Sequence, residues 1–123
     1  MAISQSDRAA VVLAGGEGTR LSAFTREMFG EAIPKQFCKF WGQYSLLEQT
    51  WRRAALLIDP GHTLTVLTAS RARFYGSLLE GIRDEHVVVQ PVNRGTAPAI
   101  LYALMRLKKT SPNPDATVQN IRY

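Results

Sequence analysis

Between Leu13 and Leu21 the sequence reads Leu-Ala-Gly-Gly-Glu-Gly-Thr-Arg-Leu, directly after the apolar run Ala9-Ala10-Val11-Val12. Glycines at 15, 16 and 18 remove Cβ atoms where the chain turns. The backbone there can approach a ligand closely and take positive φ. Successive N–H groups in such a turn form a concavity for anions. Arg20 adds a permanent positive charge whose planar donor fork suits phosphate. An apolar strand that feeds a glycine loop and ends in arginine is chemistry for holding a polyphosphate.

A second stretch, Pro34-Lys35-Gln36-Phe37, carries a cation. Proline restricts Ile33 to extended backbone and so fixes the direction in which Lys35 leaves the chain. Alone this is a surface turn with a solvated lysine; beside a phosphate loop it is a second phosphate-directed charge. A third stretch runs from Gln90 through Pro91-Val92-Asn93-Arg94-Gly95-Thr96 to Ala97, rich in turn formers and amide side chains.

The elements that must position these residues follow from the hydrophobic pattern. Arg8 to Ala14 reads as a buried strand, and Ser22 to Ile33 as a loop or short irregular helix able to fold over the glycine loop. Ser45 to Ile58 reads as a helix. Ser45 and Glu48 form a capping box, Leu47, Trp51, Ala54, Ala55 and Ile58 share one face, and Asp59-Pro60-Gly61 stops it. Leu64 to Thr68 is a strand, Arg71 to Ile82 a helix with Phe74, Leu78 and Ile82 aligned, and His86 to Gln90 a third strand. Ala97 to Lys108 is a helix with Pro98 in its first turn, and Ala116-Thr117-Val118 opens a fourth strand. Trp41, Trp51 and Phe74 are expected in or near the core.

Alternating strands and helices predict an α/β fold, a Rossmann-like three-layer sandwich with a mostly parallel sheet and right-handed crossovers. Ligands of such sheets sit beyond the carboxyl ends of the strands. The first strand delivers the glycine loop there and the third delivers Gln90 and the loop after it, so two distant segments converge on one crevice.

The 123 residues suit one small domain spanning 1–123, and the net charge of +5 is scattered along the chain. With no basic stripe or recognisable module, nucleic-acid binding is not expected. With no apolar run long enough for a bilayer and no signal-peptide core in Met1 to Arg8, neither is a membrane association. Cys38 is the single cysteine. It excludes an internal disulfide, fits a cytoplasmic protein and reads as a packing residue. His62 and His86 are not spaced as a metal pair, and no metal ligands are assigned.

The loop is neither of two common phosphate motifs. Gly18 is followed by Thr19 and Arg20 rather than Lys and Ser/Thr, so G-x-x-x-x-G-K-[ST] is absent. Leu21 stands where a third glycine would complete G-x-G-x-x-G. Taken together, however, Leu13 to Leu21, Pro34 to Phe37, and Gln90 to Ala99 resemble the sugar-phosphate nucleotidyltransferases, and within them the mannose-1-phosphate guanylyltransferases. The resemblance runs from about Arg8 to Val118.

That resemblance implies a reaction: a sugar 1-phosphate attacks the α-phosphorus of GTP, pyrophosphate leaves, and GDP-mannose forms. It assigns Arg20 and Lys35 catalytic roles, Arg20 towards the departing pyrophosphate and Lys35 towards the α-phosphate or the attacking phosphate. The backbone from Gly15 through Gly16 and Gly18 to Thr19 would cradle the phosphates, with Leu13 and Ala14 also in the nucleotide-binding set. Gln90, Asn93, Arg94, Gly95, Thr96 and Ala97 would sit near base and ribose. It also implies Mg2+, held by an aspartate a few residues beyond the position of Val118. Here the chain reads Gln119-Asn120-Ile121-Arg122-Tyr123, and Asp115 precedes the strand. The expectation is therefore an incomplete and inactive fragment, or a non-catalytic nucleotide-binding or interaction module. Its fourth strand would be a stub, the central strand would lie largely unpaired, and the exposed sheet edge would be open to self-association.

Overall fold

The computed structural model describes residues 8–16, 19–110 and 117–122. Strands β1 (Arg8–Leu13), β2 (Thr63–Thr68), β3 (Val87–Gln90) and β4 (Thr117–Arg122) form one sheet in the order β3-β2-β1-β4. Every pairing is parallel. Helices α1 (Ser22–Phe29), α2 (Leu46–Ala54), α3 (Ala72–Tyr75) and α4 (Thr96–Thr110) connect the strands.

The apolar run of β1 is continuous because both of its faces are covered, as parallel sheets require. Val11 packs with Leu64, Val66 and Val88 against Ala99 and Ala103 of α4. Val12 faces the other way, into Phe37, Leu47, Leu67 and Tyr75. The period-two alternation of a strand thus divides neighbouring valines between two cores, giving the expected three layers.

β4 is longer than expected. It pairs with β1 along its whole length, from Arg8 opposite Thr117 to Leu13 opposite Arg122. The central strand is flanked on both sides, and the expected unpaired stretch is not there. Gln119 and Asn120, which look unlike a buried strand, are exposed here. Their polarity is tolerated because β4 lies at the end of the strand order.

The segment after the glycine loop is more ordered than its weak pattern predicts. A 3-10 turn, Thr19–Leu21, leads into α1, and Gly30 ends the helix in the left-handed region at φ 83. Thr25 is fully buried, and its hydroxyl accepts the Ile33 N–H at 3.2 Å. That bond ties α1 to the residue that precedes Pro34 and so helps to aim Lys35.

Helix α2 begins as expected. The Ser45 hydroxyl accepts the Glu48 N–H at 3.2 Å, and Glu48 accepts the Ser45 N–H at 3.0 Å. It ends at Ala54, earlier than expected. Leu56 and Leu57 donate to carbonyls three residues back at 3.2 and 3.1 Å, the tightening that satisfies a helix end. Ile58 still turns into the core, while Ala55 is exposed.

The helix expected over Arg71 to Ile82 breaks into the single turn of α3 and a 3-10 turn, Ser77–Leu79. Gly76 weakens the helix at its middle, and Gly81 at φ +82 closes it off. Phe74, Leu78 and Ile82 nonetheless reach the same core. Two smaller expectations also change. His86 belongs to a 3-10 turn before β3, and Trp41 is 76% exposed, resting against Phe40 rather than in the core.

Candidate functional site

β1 delivers the glycine loop to the carboxyl edge of the sheet. Ala14 extends the ladder by one bond, its N–H donating to Val66 O at 2.9 Å, and Gly15 leaves the strand. Close approach, not positive φ, explains glycine at this position. A Cβ built there would lie 2.7 Å from Thr68 Oγ1, a distance at which something must move. The expected positive φ is not present at Gly15.

Successive carbonyls of the loop are held by buried side chains. Gln36 Nε2 donates to Ala14 O at 3.0 Å and to Gly16 O at 2.8 Å. Thr68 Oγ1 donates to Gly15 O at 2.8 Å. A trans peptide is planar, with its N–H opposite its C=O, so fixing these oxygens also fixes the directions of the N–H groups of Gly15 and Gly16. A phosphate cradle made of backbone donors needs that control. Gln36 is fully buried, so its amide is a structural brace under the loop. The sequence motif around Lys35 contains Gln36 but announces no task for it. The one available signal is a polar residue beside an apolar one in a segment that must pass beneath the loop.

A cleft of about 230 Å³ opens beside the loop. Leu13, Val66 and Ala99 line its apolar part. Gly15, Gly16 and Lys35 line it from the loop side, and Gln90, Asn93, Gly95 and Thr96 from the other. Asn93 Oδ1 accepts the Gly95 N–H at 3.0 Å, and Gly95 sits at φ +95. This compact turn starts α4, whose first residue is Thr96. The amino end of a long helix favours an anion, and here it opens on the same cleft as Lys35.

The structure therefore brings together Leu13, Gly15, Gly16, Lys35, Gln90, Asn93, Gly95 and Thr96 in one wall. Ala14 is buried beneath it. Thr19, Arg20, Arg94 and Ala97 are exposed and outside the wall, and Gly18 lies outside the described residues. Val66 and Ala99 enter the wall without having been expected.

The described wall contains no carboxylate, and among the described residues no group of three His, Cys, Asp or Glu side chains is placed to hold a metal. Hard divalent cations are held chiefly by carboxylate and other oxygen ligands. Among the described residues this wall offers a cation and amides, and no carboxylate to hold the Mg2+ that the family resemblance implies.

A larger cavity of about 450 Å³ lies near the starts of β2 and β3, lined by Trp51, Thr63, Thr65, Ile82, Arg83 and His86 among others. Size alone would favour it. The 230 Å³ cleft is the better candidate because it lies where open parallel sheets bind ligands and because it collects the glycine loop.

One parallel α/β sheet thus gathers a braced glycine loop, a lysine and a helix amino end on a single cleft. The chain belongs to the nucleotidyl transferase family, whose pattern matches residues 9–118. It is 33% identical over 112 residues to the xanthan biosynthesis protein XanB of Xanthomonas campestris, covering 89% of this chain and 23% of that protein. It is 33% identical over 109 residues to a mannose-1-phosphate guanylyltransferase of Escherichia coli, covering 85% of this chain and 21% of that one. The solved structure of a Thermus thermophilus protein described as "mannose-1-phosphate geranyltransferase" superposes with a TM-score of 0.71 at 29% identity. That match covers 94% of this chain and 32% of that one. The chain thus spans less than a quarter of the length of these curated relatives. Among the described residues, no helix is long and apolar enough to cross a membrane.

Proposed function

We propose that this chain supplies the nucleotide-holding side of a guanylyltransferase-type site. In the complete reaction a phosphate oxygen of mannose 1-phosphate attacks the α-phosphorus of GTP. The bond from that phosphorus to the bridging oxygen breaks, pyrophosphate leaves, and GDP-mannose forms. Such chemistry depends mainly on positioning and charge neutralisation. The backbone of Gly15 and Gly16 receives phosphate oxygens, and Lys35 meets the negative charge around the α-phosphate. Arg20, on the exposed turn beyond the loop, faces the departing pyrophosphate. Gln90, Asn93 and Gly95 hold the base and ribose end.

The observation that carries this reading is the convergence of the braced loop, Lys35 and the Asn93–Thr96 turn on one cleft. Family membership supports it, as do relatives named for guanylyl transfer. Binding without turnover is the reading for this chain alone, favoured by a described wall that lacks a carboxylate. Titration calorimetry with GTP, followed by incubation with GTP, mannose 1-phosphate and Mg2+ and an assay for pyrophosphate, tests both parts. Binding without pyrophosphate release is expected. Absence of binding at millimolar GTP removes the site, and sustained turnover overturns the restriction to binding.

We place this activity in the cytoplasm, with no nucleic-acid or membrane partner. The outer edge of β4 and the exposed Leu101, Tyr102 and Met105 of α4 favour self-association. Light scattering across a dilution series reads it as a concentration-dependent mass.

A further inference from the structure

We infer that Thr68 is a positioning residue of the phosphate cradle, acting through Gly15 rather than on the nucleotide. The inference rests on the reading of the cleft as a nucleotide site. Thr68 is the last residue of β2 and is 3% exposed. It follows Leu64 and Val66 on the sheet face covered by α4, and in the strand register it lies opposite Gln90. Its side chain therefore stands where the loop leaving β1 passes the base-side residue leaving β3.

The contact is specific. Thr68 Oγ1 donates to Gly15 O at 2.8 Å, and the position of a Gly15 Cβ would be 2.7 Å from that oxygen and 3.6 Å from Gln90 Oε1. The absence of a side chain at 15 lets the loop lie against the hydroxyl, and the hydroxyl then sets the plane of the Gly15–Gly16 peptide. The Gly16 N–H, one of the donors a phosphate would meet, takes its direction from a residue that does not line the cleft. A generic core threonine would contribute packing alone. This one supplies a directional bond to a backbone oxygen across 53 residues of sequence.

Thr68→Val keeps the shape and removes the donor; Thr68→Ser keeps the donor and removes a methyl. The test measures the affinity of wild-type and both variant chains for GTP and for guanosine by calorimetry. Thr68→Val is expected to weaken GTP about tenfold, the worth of one hydrogen bond, and to change guanosine by less than about twofold. Thr68→Ser is expected to stay near wild type for both. Equal losses for GTP and guanosine, no loss in Thr68→Val, or a loss in Thr68→Ser as large as that in Thr68→Val each overturn the role. A ligand-free measurement separates this inference from the reading beneath it. The NMR shifts of the Gly15 carbonyl carbon and the Gly16 amide nitrogen are expected to move in Thr68→Val and not in Thr68→Ser, and unchanged shifts overturn the brace. A wild-type chain that binds no GTP overturns the nucleotide site itself, whatever the shifts show.

Discussion

Gln36 Nε2 lies 2.8 Å from Gly16 O, in a position from which water is excluded. The same nitrogen meets Ala14 O at 3.0 Å. Both partners are acceptors, so the nitrogen end of the amide must face them. Gln36→Glu replaces that donor by a carboxylate oxygen pointing at two carbonyls. Burying an unpaired charge costs several kcal/mol unless it is neutralised. Gln36→Leu leaves the carbonyls without their donor, at about 1–3 kcal/mol. Urea unfolding followed by tryptophan fluorescence is expected to rank wild type above Gln36→Leu above Gln36→Glu. A Gln36→Glu midpoint equal to that of wild type would remove the brace.

What could and could not be read in advance follows from the range of each interaction. The first three strands and the Ser45–Glu48 box are local patterns, expressed within a few residues, and they appear close to where they were expected. The tasks of Gln36 and Thr68 depend on oxygens 20 and 53 positions away, and no spacing rule announces them. Helix ends failed for a related reason. The apolar positions Ile58 and Ile82 reach the core by turns as well as by helix, so the periodic face predicts burial while leaving the backbone path open. β4 pairs along β1 although Gln119 and Asn120 break the apolar pattern, because the ladder is made of backbone groups.

Gly15→Ala tests close approach. The added methyl would stand 2.7 Å from Thr68 Oγ1, on a strand end with little room to retreat. The loop must move or the Thr68 bond must open. GTP affinity is expected to fall by about tenfold or more, on the scale of one lost hydrogen bond plus strain. An affinity within about twofold of wild type would show that the loop has slack.

Lys35 and Arg20 are expected to differ in degree. Lys35 lines the cleft, whereas Arg20 is exposed on a turn outside the wall. Exposed charges are screened by salt over about 8–10 Å. At physiological ionic strength Lys35→Ala should weaken GTP more than Arg20→Ala does, and the Arg20→Ala effect should shrink further as salt rises. Calorimetry at two salt concentrations reads both. A larger, salt-independent loss in Arg20→Ala would mean that the turn closes onto the ligand.

Ser45→Ala removes the side-chain acceptor at the start of α2 while leaving Glu48 bonded to the backbone N–H of residue 45. The Glu48 N–H then has no partner from the cap. A lost N-cap costs about 1 kcal/mol, which lowers the Tm of a domain this size by roughly 4 °C. Differential scanning calorimetry measures the shift. Because Leu47 of the same helix packs in the core beneath β1, a larger loss would show that the cap also sets how α2 meets the sheet.

Cys38 connects stability to pH. Burial raises its thiol pKa above the ordinary value, and its Sγ lies 3.5 Å from the carbonyl oxygens of Ile33 and Pro34, to which the protonated thiol donates. The folded chain therefore prefers the protonated thiol. With a raised folded pKa, this contribution is complete below the unfolded value of about 8.5 and is lost as pH climbs through the folded one. Tyr75, also raised by burial, acts in the same sense but only from about pH 10 upwards. Between about pH 8 and 9.5 the wild-type urea midpoint should fall more steeply than that of Cys38→Ala, whose titrating thiol is gone. Equal slopes for the two chains over that window would show that the thiol ionises as readily folded as unfolded, contrary to its burial against the Ile33–Pro34 backbone that aims Lys35.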